Sequence, residues 1–98
     1  MKVRYQIKQV KSTRDCDYSF MNWDYAKNKY NANDYEVVYE DEIEMIDIDV
    51  HEYLEQLFTK FNINRPKDFK GHSLSTSDVI HLGSTDYYCD SFGWIALK

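Results

Sequence analysis

Val3, Tyr5 and Ile7 alternate with Lys2, Arg4, Gln6 and Lys8, the two-residue period of a half-buried strand with a basic outer face. After a polar stretch, Thr13 to Asp17, the pattern changes. Met21 and Tyr25, then Trp23, Ala26 and Tyr30, recur at spacings of three and four, which predicts a helix over 18–30. Asn31, Asn33 and Asp34 form a turn cluster, and Tyr35 to Tyr39 reads as a short strand rich in Val and Tyr. Ile46, Ile48 and Val50 alternate with Asp47 and Asp49, an extended stretch with its acids outward.

The clearest helical period comes next. Tyr53, Leu54, Leu57, Phe58 and Phe61 form one apolar stripe, while Glu52, Glu55, Gln56 and Thr59 face away. Asp49 with Glu52 three residues on resembles a capping box, and Asn62, Asn64 and Pro66 end the helix. From Val79 the chain returns to strands: Val79 to Leu82, a turn at Gly83 to Asp86, Tyr87 to Asp90, a corner at Ser91 to Gly93, and Trp94 to Leu97. The order β-α-β-α-β-β-β predicts an α+β domain with a small, mainly antiparallel sheet and two helices packed on one face. Leu54, Leu57, Phe58, Val79, Ile80, Trp94 and Ile95 are the expected core.

At 98 residues the chain reads as a single domain, 1–98, too short for a barrel enzyme or a doubly wound dinucleotide fold. Its net charge of −5 argues against direct binding of nucleic acid or of an anionic membrane. The distribution matters more than the total. Residues 30–59 hold ten of the seventeen acids and no Lys or Arg, while Lys2, Arg4, Lys8, Lys11, Arg14, Lys27 and Lys29 crowd the first third. An electrically two-sided molecule is the expectation. No apolar run approaches the roughly 20 residues that span a bilayer. Cys16 and Cys89 form no C-x-x-C pattern and read as reduced packing residues, and the polar, basic start precedes no apolar run, so a cytoplasmic location is expected.

Gly71 to Asp78 offers a histidine, several hydroxyls and a carboxylate. A Ser-His-Asp triad needs the imidazole between the other two, and neighbours on an extended segment point to opposite faces. The expected role is therefore a loop whose Ser and Asp side chains satisfy backbone donors, anchored by Leu74, with no catalytic residue. The enzyme alternative pairs His72 and His81 as acid and base in an RNase-like site, with Arg65, Lys67 and Lys70 as the cations closest in sequence. A zinc site, the alternative to a cofactor-free protein, would draw on His72, His81, Cys89 and Cys16. A four-residue turn sets His81 opposite Tyr88 and Cys89 opposite Ile80, and a one-residue slip brings His81 and Cys89 side by side.

An acidic run this long exceeds what solubility requires, and carboxylates in such a run can imitate nucleic-acid phosphates before a basic groove. The candidate partner-binding residues are Glu36, Glu40, Asp41, Glu42, Glu44, Asp47, Asp49, Glu52 and Glu55. Tyr18, Trp23, Tyr25, Tyr30 and Tyr35 suit an interface as well as a core.

Several short motifs occur in a fixed order: Phe61-Asn62, Arg65-Pro66-Lys67-Asp68-Phe69, Gly71-His72-Ser73-Leu74-Ser75-Thr76-Ser77-Asp78-Val79, and Asp90-Ser91-Phe92-Gly93-Trp94. Together they resemble the YodL-like domain. Tyr35 to Glu42 is similar to that family's V-Y-x-G-E segment, with Asp41 in place of Gly. The resemblance covers residues 35–97 and leaves the strand and helix of 1–34 unassigned. It implies a setting in phages, plasmids and conjugative elements, beside anti-restriction or DNA-processing modules. The combined expectation is a non-enzymatic anti-defence protein, monomeric or a small homo-oligomer, in the bacterial cytoplasm. Its partner would be a host defence protein that handles nucleic acid, foremost a type II CRISPR RNA-guided nuclease, whose basic surface it occupies. An accessory role in conjugation or plasmid replication is the further alternative.

Overall fold

The alternation at the N-terminus becomes β1, Lys2–Val10, the strand on which the sheet is organised. The computed structural model describes residues 2–46, 49–63, 66–69 and 71–97. On one side β1 pairs antiparallel with β2, Tyr35–Glu44, and on the other with β3, Val79–Leu82. A meander adds β4, Thr85–Cys89, and β5, Trp94–Leu97, giving the order β2-β1-β3-β4-β5. Helix α1 is Trp23–Ala26 and α2 is Val50–Ile63, so the α+β class and the element order are those read from the sequence.

β2 runs five residues beyond the expected Tyr39 because a bulge hides its period. Ile7 pairs with Tyr39 but Lys8 pairs with Val37, so Val38 is extra and the alternation resumes in the opposite phase. Asp47 and Ile48, central to the expected extended stretch, lie outside the described residues. Asp49 caps α2 as expected, its Oδ1 accepting the His51 N–H at 3.0 Å.

The odd-numbered side chains of β1 and their neighbours meet α2 in one cluster, with Tyr5, Ile7, Ile80, Leu82 and Trp94 packed on Tyr53, Leu54, Leu57 and Phe61. The other face carries Val10, Tyr35, Val79 and Tyr88, and it is covered by Tyr18 and Ala26 with Trp23 and Tyr30 against them. The helices therefore take opposite faces instead of sharing one. β3 and β4 place apolar side chains on both faces, Ile80 and Leu82 on one and Val79 and Tyr88 on the other, so each face needs its own cover. Of the expected core, Leu54, Leu57, Val79, Ile80 and Trp94 are buried, while Phe58 and Ile95 are partly buried at its margins.

The predicted helix over 18–30 shrinks to one turn. Phe20 sits at φ 65°, a left-handed conformation that stops a helix passing through it, and Asn22 then caps from outside by accepting the Tyr25 N–H at 3.0 Å. The β3–β4 turn is also tighter than expected. Leu82 pairs with Thr85, leaving Gly83 and Ser84 as a two-residue loop, with Gly83 at φ 67° in the first position as such hairpins favour. Among the described residues, no helix is long and apolar enough to cross a membrane.

Candidate functional site

β2 is an edge strand, and it carries five of the acids: Glu36, Glu40, Asp41, Glu42 and Glu44, all exposed. The register sets Lys2 opposite Glu44, Arg4 opposite Glu42 and Gln6 opposite Glu40. Gln6 donates to Glu40 at 2.9 Å, and Arg4 Nη2 lies 3.5 Å from the same carboxylate. The expected two-sided charge distribution is thus corrected: the basic outer face of β1 lies beside the acids, because sequence-distant strands became neighbours. The open backbone edge is also modified. Asp41 Oδ1 accepts the Glu42 N–H at 2.8 Å and its Oδ2 accepts the Tyr39 hydroxyl at 3.2 Å, which blunts the edge against unselective strand pairing.

The other candidate acids do not extend this strip. Asp49, Glu52 and Glu55 are exposed on and before α2, and Glu55 reaches the opposite edge, where it accepts the β5 Trp94 indole N–H at 2.7 Å. Asp47 lies outside the described residues, as do Arg65 and Lys70 from the candidate cation group.

The Gly71–Asp78 segment is consumed by structure. Asp78 is 1 % exposed and Gln9 2 %. Asp78 Oδ2 accepts the Ser75 N–H at 2.9 Å and the Gln9 amide at 3.1 Å. Gln9 also donates to the His72 carbonyl at 2.9 Å and accepts the His72 N–H at 3.2 Å, so one side chain holds the loop against β1. Burial pushes the Asp78 carboxyl up to about 7, outweighing the Ser75 N–H, the His72 ring and Gln9, which all pull it down. Gly71 lies close against this side chain: a Cβ there would stand 2.1 Å from Gln9 Oε1, so the glutamine would have to shift. Sequence reasoning missed Gln9. A signal was present, since Gln9 continues the buried phase of Val3, Tyr5 and Ile7.

The second motif ties two loops together. Asp90 Oδ1 accepts the N–H groups of Trp23 and Ser91, both at 2.9 Å, and the Asp90 N–H bonds the Gly93 carbonyl, with Gly93 at φ 82°. Ser77, itself at φ 86°, accepts the Phe20 N–H at 2.9 Å, and the Tyr35 hydroxyl donates to its carbonyl. Phe20, Met21 and Phe92 are exposed on these loops.

The two histidines are held apart. His72 is joined to Gln9, whose side chain leaves β1 on the α2 side, whereas His81 pairs with Gln6 and faces the other way. His81 Nδ1 lies 2.7 Å from Asp86 Oδ1, an oxygen Lys8 Nζ also reaches at 3.3 Å. The two-residue turn overturns the expected register: His81 is opposite Asp86, Ile80 opposite Tyr87, and Cys89 opposite Trp94 on the face away from His81. The buried Cys89 thiol is pushed up to about 12 by burial and by Asp78, Glu55 and Asp90, while Cys16 packs at the edge of the other cluster. Among the described residues, no three His, Cys, Asp or Glu side chains gather as a metal ion would require.

No curated protein and no solved structure matches the chain. The YodL-like domain family is matched over residues 4–98, which brings the first strand and helix inside a resemblance that the motifs alone had confined to 35–97. That extension agrees with the geometry, because Gln9 holds the Gly71–Asp78 loop and the Trp23 N–H meets Asp90. The chain belongs to the YodL-like domain family.

Proposed function

We propose that this protein is a non-enzymatic binding module of a mobile element that inhibits a host defence factor by laying its acidic edge strand on a basic, nucleic-acid-handling surface. The observation that carries this reading is the exposure of Glu36, Glu40, Asp41, Glu42 and Glu44 together on the edge strand β2. Carboxylates on a rigid strand keep a fixed spacing, and meeting cations there costs less ordering than on a flexible tail. The family motifs support it indirectly, since their Asp78 and Asp90 carboxyl groups are spent in holding loops together. The partner of first choice is a type II CRISPR RNA-guided nuclease, and the working compartment is the bacterial cytoplasm. The module acts without a cofactor.

The test removes charge without reversing it, because lysines at 42 and 44 would face Arg4 and Lys2. A quadruple variant carrying Glu40→Gln, Asp41→Asn, Glu42→Gln and Glu44→Gln keeps hydrogen-bonding capacity along the edge. Binding to a purified guide-loaded type II nuclease is measured by surface plasmon resonance, beside a pull-down from host lysate. The variant is expected to lose tenfold or more in affinity and most of its inhibition. Inhibition and affinity unchanged in a folded variant would reject the acidic strand as the contact.

A further inference from the structure

At the β5 edge, away from β2, a cavity of about 180 Å³ opens between α2 and the loops around the two family motifs. Phe58, Trp94 and Cys89 supply its apolar side, and Glu55, Asp90 and Thr76 its polar side. The Phe58 and Trp94 rings meet edge to face with centroids 6.2 Å apart. None of the residues lining it is Lys, Arg or His. Glu55 is oriented by the Trp94 indole N–H at 2.7 Å, and a carboxylate can accept several more hydrogen bonds beyond that one. Asp90 is fixed by the N–H groups of Trp23 and Ser91. Burial, and then Asp78, Glu55 and Asp90, push the Cys89 thiol up.

Two positioned carboxylates beside aromatic side chains, with no cation among the described lining residues, fit an organic monocation. We propose that this cavity is a receptor for a single arginine side chain of the protein partner. The guanidinium is planar and weakly hydrated, so it stacks on the partly exposed Phe58 ring, with Trp94 buried behind, while its fork of N–H groups meets Glu55 and Asp90. A lysine ammonium would be a compact, strongly hydrated charge that uses the rings less well. This inference rests on the reading that the partner presents a basic surface, and it gives that surface one anchoring residue separate from the β2 acids.

The test needs no partner protein. ¹⁵N-labelled protein is titrated with N-acetyl-arginine amide while the Trp94 indole resonance is followed, with the lysine amide and the uncharged, nearly isosteric citrulline amide as comparisons. The expected result is a saturable shift with arginine in the millimolar range, at least tenfold weaker with citrulline and several-fold weaker with lysine. Glu55→Gln, which keeps an acceptor for the indole, should weaken arginine binding tenfold or more while the indole resonance of the free protein shows that the fold persists. No saturable shift, an equal response to citrulline or lysine, or undiminished binding in Glu55→Gln overturns the receptor. A negative titration leaves the β2 reading to its own binding test, and loss of β2-dependent inhibition leaves this titration unaffected.

Discussion

Two groups of carboxylates in this molecule live under opposite conditions. Asp78 is sealed between β1 and its own loop, with donors from Ser75 and Gln9. Glu40, Asp41, Glu42 and Glu44 stand in solvent on an edge strand. The segment around Asp78 looks the more chemical in sequence, since histidine, serines and aspartate crowd into eight residues. The acidic strand looks the more ordinary. In the fold the roles invert: Asp78 is spent on its own loop and on Gln9, and the plain carboxylates are the ones that stand exposed. A polar motif inside a small domain is first a solution to the problem of burying backbone donors, and only then a candidate for chemistry.

The sharpest way to break this contrast is to follow Asp78 through pH. Its folded carboxyl is raised from 3.8 to about 7 by burial, so between those values the folded state keeps a proton that the unfolded chain has lost. The stability from that proton is present in full below about pH 4 and is lost as pH rises through about 7. Relative to Asp78→Asn, the protein should lose about 2 to 3 kcal/mol between about pH 5 and pH 8. Urea denaturation of both proteins at the two pH values measures the difference. A constant gap would mean that Asp78 is ionised throughout, held so by Ser75, His72 and Gln9.

What could be read beforehand follows the same division. The stripe Tyr53, Leu54, Leu57, Phe61 and the alternation Val3, Tyr5, Ile7 are periodic and local, so α2 and β1 were legible in the sequence. The bulge at Val38 and the two-residue turn at Gly83 depend on pairing partners, and each shifted a register that periodicity had set otherwise. The aromatic spacing of 18–30 was genuine packing information, since Trp23 and Tyr30 do meet Tyr88. It comes from a loop that wraps the sheet, because Phe20 at positive φ interrupts the helix. The acidic candidates were legible by composition. Their cross-strand neighbours Lys2 and Arg4 were not, because that adjacency exists only once β1 and β2 pair.

A smaller effect is expected at Gly71, where the buried network meets the backbone. In Gly71→Ala the new methyl would stand 2.1 Å from Gln9 Oε1 and 2.9 Å from its Cδ. The far end of a glutamine usually yields at little cost. Here it is pinned by hydrogen bonds with the His72 N–H, the His72 carbonyl, the His72 ring and Asp78. Displacing it should cost about 1 to 3 kcal/mol in thermal or denaturant unfolding. Combining the change with Gln9→Ala, which frees the space, should give less than the sum of the two single losses. Strict additivity would show that Gly71 and Gln9 are not in contact.

The smallest effect on stability tests the exposed side of the comparison. Arg4 Nη2 is 3.5 Å from Glu40 with side-chain exposures of 69 % and 46 %, and a pair so wet contributes at most about 1 kcal/mol. Arg4→Gln should therefore move the unfolding midpoint little. Its effect on association is a different matter. Arg4 stands opposite Glu42 and beside Glu40, so it neutralises part of the field that the acidic strand presents to an approaching cationic groove. Removing it leaves the same carboxylates less compensated, and the association rate with the proposed nuclease partner should rise several-fold at low salt while dissociation changes little. The gain should shrink as salt shortens the screening length to about 8 Å at physiological ionic strength. Faster association in Arg4→Gln, opposed by slower association in the neutralised β2 variant, would place the electrostatic contact on this strand. A rate that falls when Arg4 is removed would show instead that the basic face of β1 makes the contact.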